Sequence, residues 1–353
     1  MSIDEKYMWR SLQLAKKGCR ATKNNPMVGC VIVHNNKIIG EGYHRKMGEA
    51  HAEVNAIASV RNELLLKEST LYVTLEPCSH YGKTPPCAAL IVSKEIPRVV
   101  VAVKDPNKEV AGRGVAMLEQ AGVAVTLGVL KEEARQLNEW FFVNQLKTRP
   151  YITLKWAQTR DGFIDYKRDG SEKPPLKLSN SITQSVVHKL RSERMGIMVG
   201  TNTALKDNPT LTVRNWYGDN PVRIVLDKTG KLPADSNLFN NDAPTVVFTA
   251  LDMYSASDNT TVEVIDFDGD VIQQVLDRLY AMDIATLFVE GGSMLISSFV
   301  ERGMWDEAYV EVANIAIGSG VKAPKLKGEM VNAKKYIDSL HYHIKMEICR
   351  NLI

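Results

Sequence analysis

Apolar residues recur along the 353-residue chain with two distinct periods. Near the start, Met8, Leu12, Ala15 and Cys19 alternate spacings of four and three, which predicts an amphipathic helix over 4–18. An apolar run over 30–33, a turn at Asn35-Asn36 and a second extended stretch over 37–42 predict a hairpin. Further strands are expected over 70–75, 99–103 and 123–127. They alternate with helices that begin at His51, at Cys87 and at Gly114. This alternation predicts an α/β fold, a mixed sheet with parallel pairs lying between helices. A helix is expected over 132–146, and the polar stretch Lys147-Thr148-Arg149-Pro150 then breaks the pattern.

After that break the pattern starts afresh. Strands are expected over 151–156, 196–199, 222–226, 245–248 and 286–289, with a turn at Asp161-Gly162. Helices are expected over 181–194, capped by Asn180 or Ser181, over 270–280 and over 294–302. The expected organisation is therefore two α/β domains, 1–147 and 148–353.

Composition narrows the class without naming the chemistry. With 44% hydrophobic and 24% charged residues, the chain is ordinary for a globular protein. A net charge of +3, with no basic block interleaved with aromatics, argues against nucleic acid as a partner. No apolar run approaches membrane-spanning length, and Met1-Ser2-Ile3-Asp4-Glu5-Lys6 lacks a signal-peptide core. The expectation is a cytoplasmic protein with small-molecule partners and no membrane. A homo-oligomer is compatible with this composition.

Chemistry concentrates between residues 51 and 87. His51-Ala52-Glu53 opens one helix, Glu76-Pro77-Cys78 follows a strand, and Pro85-Pro86-Cys87 opens another helix. Helix N-termini favour anions and so favour the thiolate form that binds metal. His51, Cys78 and Cys87 supply three soft ligands for zinc and leave a fourth position open, the mark of a catalytic site. Glu53 is placed to move a water's proton. His-x-Glu followed by Pro-Cys is the pattern of hydrolytic deaminases, although here eight residues separate the two cysteines where the common pattern has two. The loop between them carries His80 and Lys83.

In the second half, Val289-Glu290-Gly291-Gly292-Ser293 places glycines where a strand passes into a helix, a junction suited to a phosphate. Val199-Gly200-Thr201-Asn202-Thr203, followed by 207–214 with Arg214, is a second such junction. No Gly-x-Gly-x-x-Gly is present. These residues alone indicate an anion or nucleotide pocket.

The whole set of motifs resembles the bifunctional deaminase/reductase family of riboflavin biosynthesis. In the first half they are Asn25-Pro26-x-Val28-Gly29-Cys30, His51-Ala52-Glu53, Thr74-Leu75-Glu76-Pro77-Cys78-Ser79-His80, Gly82-Lys83-Thr84-Pro85-Pro86-Cys87 and Asp105-Pro106-Asn107. In the second half they are Leu154-Lys155-x-Ala157, Asp207-Asn208-Pro209 and Glu290-Gly291-Gly292. The long cysteine spacing is that family's own. The resemblance implies a cytidine-deaminase-like N-terminal domain and a dihydrofolate-reductase-like C-terminal α/β domain. It implies zinc and NADPH as cofactors, with Glu53 as the catalytic acid and base. It also implies that Asn25, His80, Lys83 and Asn107 hold the deaminase substrate. In the reductase, Lys155, Arg191, Leu211, Arg214 and Glu290 would hold the substrate, and Ala157, Thr203, Asp207 and Gly292 the cofactor. Residues 170–179 and Lys228 depart from the family's usual pattern. Two rival readings are a deaminase whose C-terminal half only binds or assembles, and a structural zinc protein with His80 as fourth ligand.

Overall fold

A computed structural model of the chain describes residues 1–19, 22–80, 85–107, 111–168, 174–255 and 257–346, in two units, Met1–Thr148 and Arg149–Ile353.

The first unit opens with α1 (Ile3–Ala15). Ser2 Oγ accepts from the Glu5 N–H, and the Glu5 carboxylate accepts from the Ser2 N–H, so both ends of a capping box are closed. A hairpin follows, β1 (Gly29–His34) and β2 (Lys37–Tyr43), turned by Asn35 and Asn36 at φ 47° and 59°. Two left-handed residues are what a two-residue hairpin loop requires, and asparagine tolerates them. Next come α2 (Ala52–Ala58), β3 (Thr70–Val73), α3 (Cys87–Ser93), β4 (Arg98–Val101), α4 (Arg113–Gln120) and β5 (Ala124–Leu127). The sheet order is β2-β1-β3-β4-β5, antiparallel through β3 and parallel from β3 to β5.

Alternate residues of the central strands face opposite sides, and both sides are buried. Cys30, Ile32, Leu71, Val73, Val99 and Val101 pack with α2, α3 and α4. Val31, Tyr72 and Val100 are buried on the other side, where Tyr7 of α1 lies against Tyr72 with ring centroids 5.3 Å apart. A Cβ on Gly29 would sit 2.0 Å from the Ser11 carbonyl oxygen, so only glycine lets α1 lie this close to β1.

The helix expected over 132–146 is two helices, α5 (Lys131–Leu137) and α6 (Glu139–Lys147), broken at Asn138. The break has a tertiary cause. Asn138 is buried and exchanges two 2.8 Å hydrogen bonds with the Met27 backbone, which pins the junction onto the segment before β1.

The second unit is built on a nine-stranded sheet. In chain order its elements are β6 (Tyr151–Thr159), β7 (Phe163–Asp165), α7 (Ser181–Ser192), β8 (Gly196–Val199), α8 (Thr201–Asp207), β9 (Val222–Leu226), β10 (Thr245–Thr249), β11 (Thr260–Val264), α9 (Val271–Ala281), β12 (Thr286–Glu290), α10 (Ser293–Glu301), β13 (Glu307–Ala313), β14 (Val321–Lys322), β15 (Glu329–Tyr336) and β16 (Ser339–Lys345). The sheet order is β11-β10-β9-β8-β12-β6-β13-β16-β15, and β14 pairs separately with β7. Strands β11 to β13 run parallel, and β16 and β15 close the sheet as an antiparallel hairpin. Asn180 caps α7, its Oδ1 accepting from the Ile182 and Thr183 N–H groups at 3.0 Å. The sequence pattern did not reveal α8, which has no side-chain cap, nor β7, β11 and β13 to β16.

Candidate functional site

The first unit gathers its chemistry where β2 and β3 end and α2 and α3 begin. His51 is the N-cap of α2, and Cys87 is the first residue of α3, as the sequence pattern predicted. His51 Nδ1 lies 3.3 Å from Cys87 Sγ and 3.6 Å from Cys78 Sγ, and the three ligand atoms lie within 4.8 Å of one another. Zinc bonds of about 2.3 Å to sulfur and about 2.0–2.1 Å to nitrogen, at tetrahedral angles, set the S···N separation near ~3.5 Å. The donor set therefore fits zinc in both chemistry and spacing. His80 does not belong to this ligand group, which among the described residues has three members, His51, Cys78 and Cys87. The Cys87 N–H donates to Cys78 Sγ at 3.2 Å. Hydrogen bonding from Cys87, then from His51, holds the Cys78 thiol well below its usual pKa, against the opposing effect of burial.

Glu53 is the second residue of α2, two after His51, and is buried. Burial pushes its carboxyl up to about 7, although the nearby His51 pulls the other way. A carboxyl balanced there can both take and return a proton near neutral pH. Asn25 reaches this cluster through His44, a residue that sequence reasoning missed. Asn25 Nδ2 is 3.1 Å from His44 Nε2, and the buried His44 ring meets His51 edge-on at 5.7 Å. Its position at the end of β2, beside the turn into α2, was the available signal.

Glu76 has a second role hidden in its motif. Its carboxylate accepts from the backbone N–H groups of Asp105, Gly112, Gly114 and Val115 at 3.0–3.2 Å. These bonds tie the segment after β4 and the start of α4 to the Glu76-Pro77-Cys78 turn. Within that segment Asp105 Oδ1 accepts from the Asn107 N–H at 2.9 Å, so Asp105-Pro106-Asn107 is a turn. His80 lies on a recess of about 340 Å³ shared with Ser79, Arg113 and Gln120. Lys83 lies outside the described residues.

The second unit holds a pocket of about 1270 Å³ at the carboxyl ends of its parallel strands. It is lined by Lys155, Ala157, Arg191, Thr203, Asp207, Leu211, Glu290 and Gly292, so eight residues singled out from sequence converge there. Glu290, the last residue of β12, is paired with Arg191 at 2.8 Å and with Lys155 at 3.8 Å. These cations hold the buried carboxyl below its usual range despite the upward push of burial. Gly291 and Gly292 have φ of +113° and +73°, and a Cβ on Gly292 would meet Thr203 Oγ1 at 3.1 Å. The bare backbone there, at the N-terminus of α10, is a cradle that suits a dinucleotide's phosphates. Leu211 holds a strained φ of +54° in the pocket wall.

One placement differs from expectation. Arg214 does not line the pocket. Its guanidinium bonds to the Thr210 and Thr212 hydroxyls, and its backbone N–H donates to His188 Nδ1 at 2.9 Å. Asp207 is ion-paired to Arg168 at 2.6 Å, and Arg168 also pairs with Asp165 at 2.7 Å, a bridge that the sequence pattern did not indicate. His188 is driven down to about 4 by burial and by Arg191 and Arg214, so it is neutral at physiological pH.

Comparison with known proteins agrees with both halves. Residues 1–103 match the family described as "Cytidine and deoxycytidylate deaminase zinc-binding region", and residues 150–346 match "RibD C-terminal domain". The chain is 43% identical to riboflavin biosynthesis protein RibD of Aquifex aeolicus, covering 90% of this chain and 89% of that protein. It is 38% identical to the RibD of Bacillus amyloliquefaciens over 96% and 92% of the two chains. The crystal structure of the Thermotoga maritima diaminohydroxyphosphoribosylaminopyrimidine deaminase/5-amino-6-(5-phosphoribosylamino)uracil reductase superposes with a TM-score of 0.87, at 35% identity over 98% and 99% of the chains. Fold and site thus define a two-part enzyme, a zinc-dependent deaminase joined to an NADPH-dependent reductase. The chain belongs to the RibD family, the bifunctional deaminase and reductase of riboflavin biosynthesis. With both families matched, neither a deaminase with a non-catalytic second half nor a structural zinc protein is favoured.

Proposed function

We propose that unit Met1–Thr148 deaminates 2,5-diamino-6-(5-phosphoribosylamino)pyrimidin-4-one, and that the second unit reduces the ribosyl group of the resulting 5-amino-6-(5-phosphoribosylamino)uracil to a ribityl chain. The observation that carries the first step is the spacing of His51 Nδ1, Cys78 Sγ and Cys87 Sγ with the buried Glu53 beside them. These three residues would hold the zinc, which would supply the Lewis acidity that activates water at neutral pH. Glu53 takes a proton from the attacking water and returns it to the leaving nitrogen. The ring carbon gains oxygen and ammonia departs. Asn25 and His44 face the pyrimidine, while His80, Lys83 and Asn107 serve its phosphoribosyl arm.

For the second step, NADPH bound in this pocket would supply the hydride that reduces the sugar carbon bound to nitrogen. Ala157, Thr203, Asp207 and Gly292 position the cofactor, and Lys155, Arg191, Leu211 and Glu290 position the sugar. Lys155 steadies the opening ring. Arg214, outside the pocket lining, acts through the hydroxyls of Thr210 and Thr212, the residues on either side of Leu211. The cytoplasm suits this enzyme, because a reducing compartment keeps Cys78 and Cys87 free to bind metal.

The test is product mass after incubation of zinc-loaded protein with the diaminopyrimidine substrate. Exchange of an amino group for oxygen without NADPH, and a further gain of two hydrogens with it, is the expected result. A folded, zinc-replete protein that leaves the substrate unchanged would refute the reading.

A further inference from the structure

The sheet face that floors the second pocket continues beyond it as a row of buried charge. Side chains alternate along each strand. The parallel register sets Lys155 beside Tyr309 and Ala157 beside Glu311, and the antiparallel register sets Glu311 beside His341. Lys155 and Ala157 line the pocket, and Glu311 stands one strand away, 1% exposed. Its Oε2 accepts from Ser179 Oγ at 2.6 Å. Its Oε1 lies 3.6 Å from His341 Nε2, and neither of those two atoms has a hydrogen-bond partner among the described residues.

A buried carboxylate is costly unless its oxygens are satisfied, and Glu311 meets that cost with the Ser179 hydroxyl on one oxygen and the His341 ring beside the other. What Glu311 does hold is informative. Ser179 ends a run of five residues, 175–179, all of which line the pocket. It also precedes Asn180, the cap of α7, whose side-chain amide donates to the Tyr336 carbonyl at 3.1 Å. The same helix carries Arg191 into the pocket.

We propose that Glu311 is a positioning residue of the reductase, pinning the 175–179 wall through Ser179 so that cofactor and sugar are held face to face beside Lys155. Burial pushes the Glu311 carboxyl up, but His341, Ser179 and Lys155 outweigh it and keep the group an ionised acceptor. This inference rests on the reductase reading of the pocket.

The full-length, zinc-loaded protein provides the test. Ser179→Ala and Glu311→Ala each lower the reductase kcat/KM by about tenfold or more, the scale of loss when a wall shifts near the reacting atoms. The double variant is no worse than the poorer single one, because a single bond cannot be lost twice. Glu311→Gln, whose amide oxygen still accepts from Ser179, stays within about threefold of the parent. Deamination by the same samples is the internal control and is unchanged. Should Glu311→Ala fail to fold, Ser179→Ala and Glu311→Gln decide the matter. Full-rate reduction by Ser179→Ala, additive losses in the double variant, or a Gln variant as impaired as Ala would each overturn the tether. A parent protein that deaminates but never oxidises NADPH would instead overturn the reductase reading itself.

Discussion

Glu53 shows how one residue joins local pattern to tertiary setting. Its place two residues after His51 follows from the sequence, but its pKa of about 7 comes from burial beneath the ligand cluster. Replacing it with glutamine keeps shape and removes the proton carrier. Glu53→Gln protein is expected to retain its zinc by metal analysis while losing about 10²- to 10⁴-fold in deamination rate. Loss of zinc along with activity would mean that the carboxylate holds the metal rather than moving protons. His44 makes the complementary point. No motif flags it, and only folding brings it against Asn25 and His51.

At the scale of elements, two carboxylates act as fasteners. Glu76 gathers four backbone N–H groups, so Glu76→Gln turns an amide NH₂ toward donors and leaves N–H groups unpaired. A loss of about 2–4 kcal/mol is expected, with a raised deaminase KM because the Asp105-Pro106-Asn107 turn loosens. Chemical denaturation together with steady-state kinetics would check both effects. Glu307 on β13 is held by Arg194 at 2.6 Å, by His343 at 2.8 Å and by Thr153 at 2.9 Å. Although burial pushes its carboxyl up, these partners, led by His343, bring it down to about 2 from 4.5. Its folded pKa is the lower one, so its contribution is fully present above about 4.5 and is lost as pH falls through about 2. That contribution is about 3 kcal/mol. Glu307→Gln protein should be less stable than the parent at neutral pH, and the gap should close by about that amount between pH 5 and pH 2. Urea titrations of both proteins across this range measure it, and a gap independent of pH would show that Glu307 is not depressed.

For the molecule as a whole, two ligand sets in two units predict separable activities. Chelating the zinc should abolish deamination while leaving reduction of supplied 5-amino-6-(5-phosphoribosylamino)uracil unchanged. Cys87→Ala should reproduce that pattern without a chelator. A parallel loss of both activities would show that the reductase unit depends on the metal.

Much of this architecture was legible from local chemistry. Helix starts at His51 and Cys87, the Asn35-Asn36 hairpin and the strand-to-glycine junction at Glu290 each follow from a few adjacent residues, because caps, turns and period act over short range. The ligand set was legible for the same reason. What only the tertiary structure decided depends on residues far apart in the chain. Met27 splits one expected helix at Asn138, Arg168 claims Asp207, and Arg214 turns to Thr210, Thr212 and His188. Each is a competition between buried polar groups for partners, and its outcome is set by which backbones the packed core brings together.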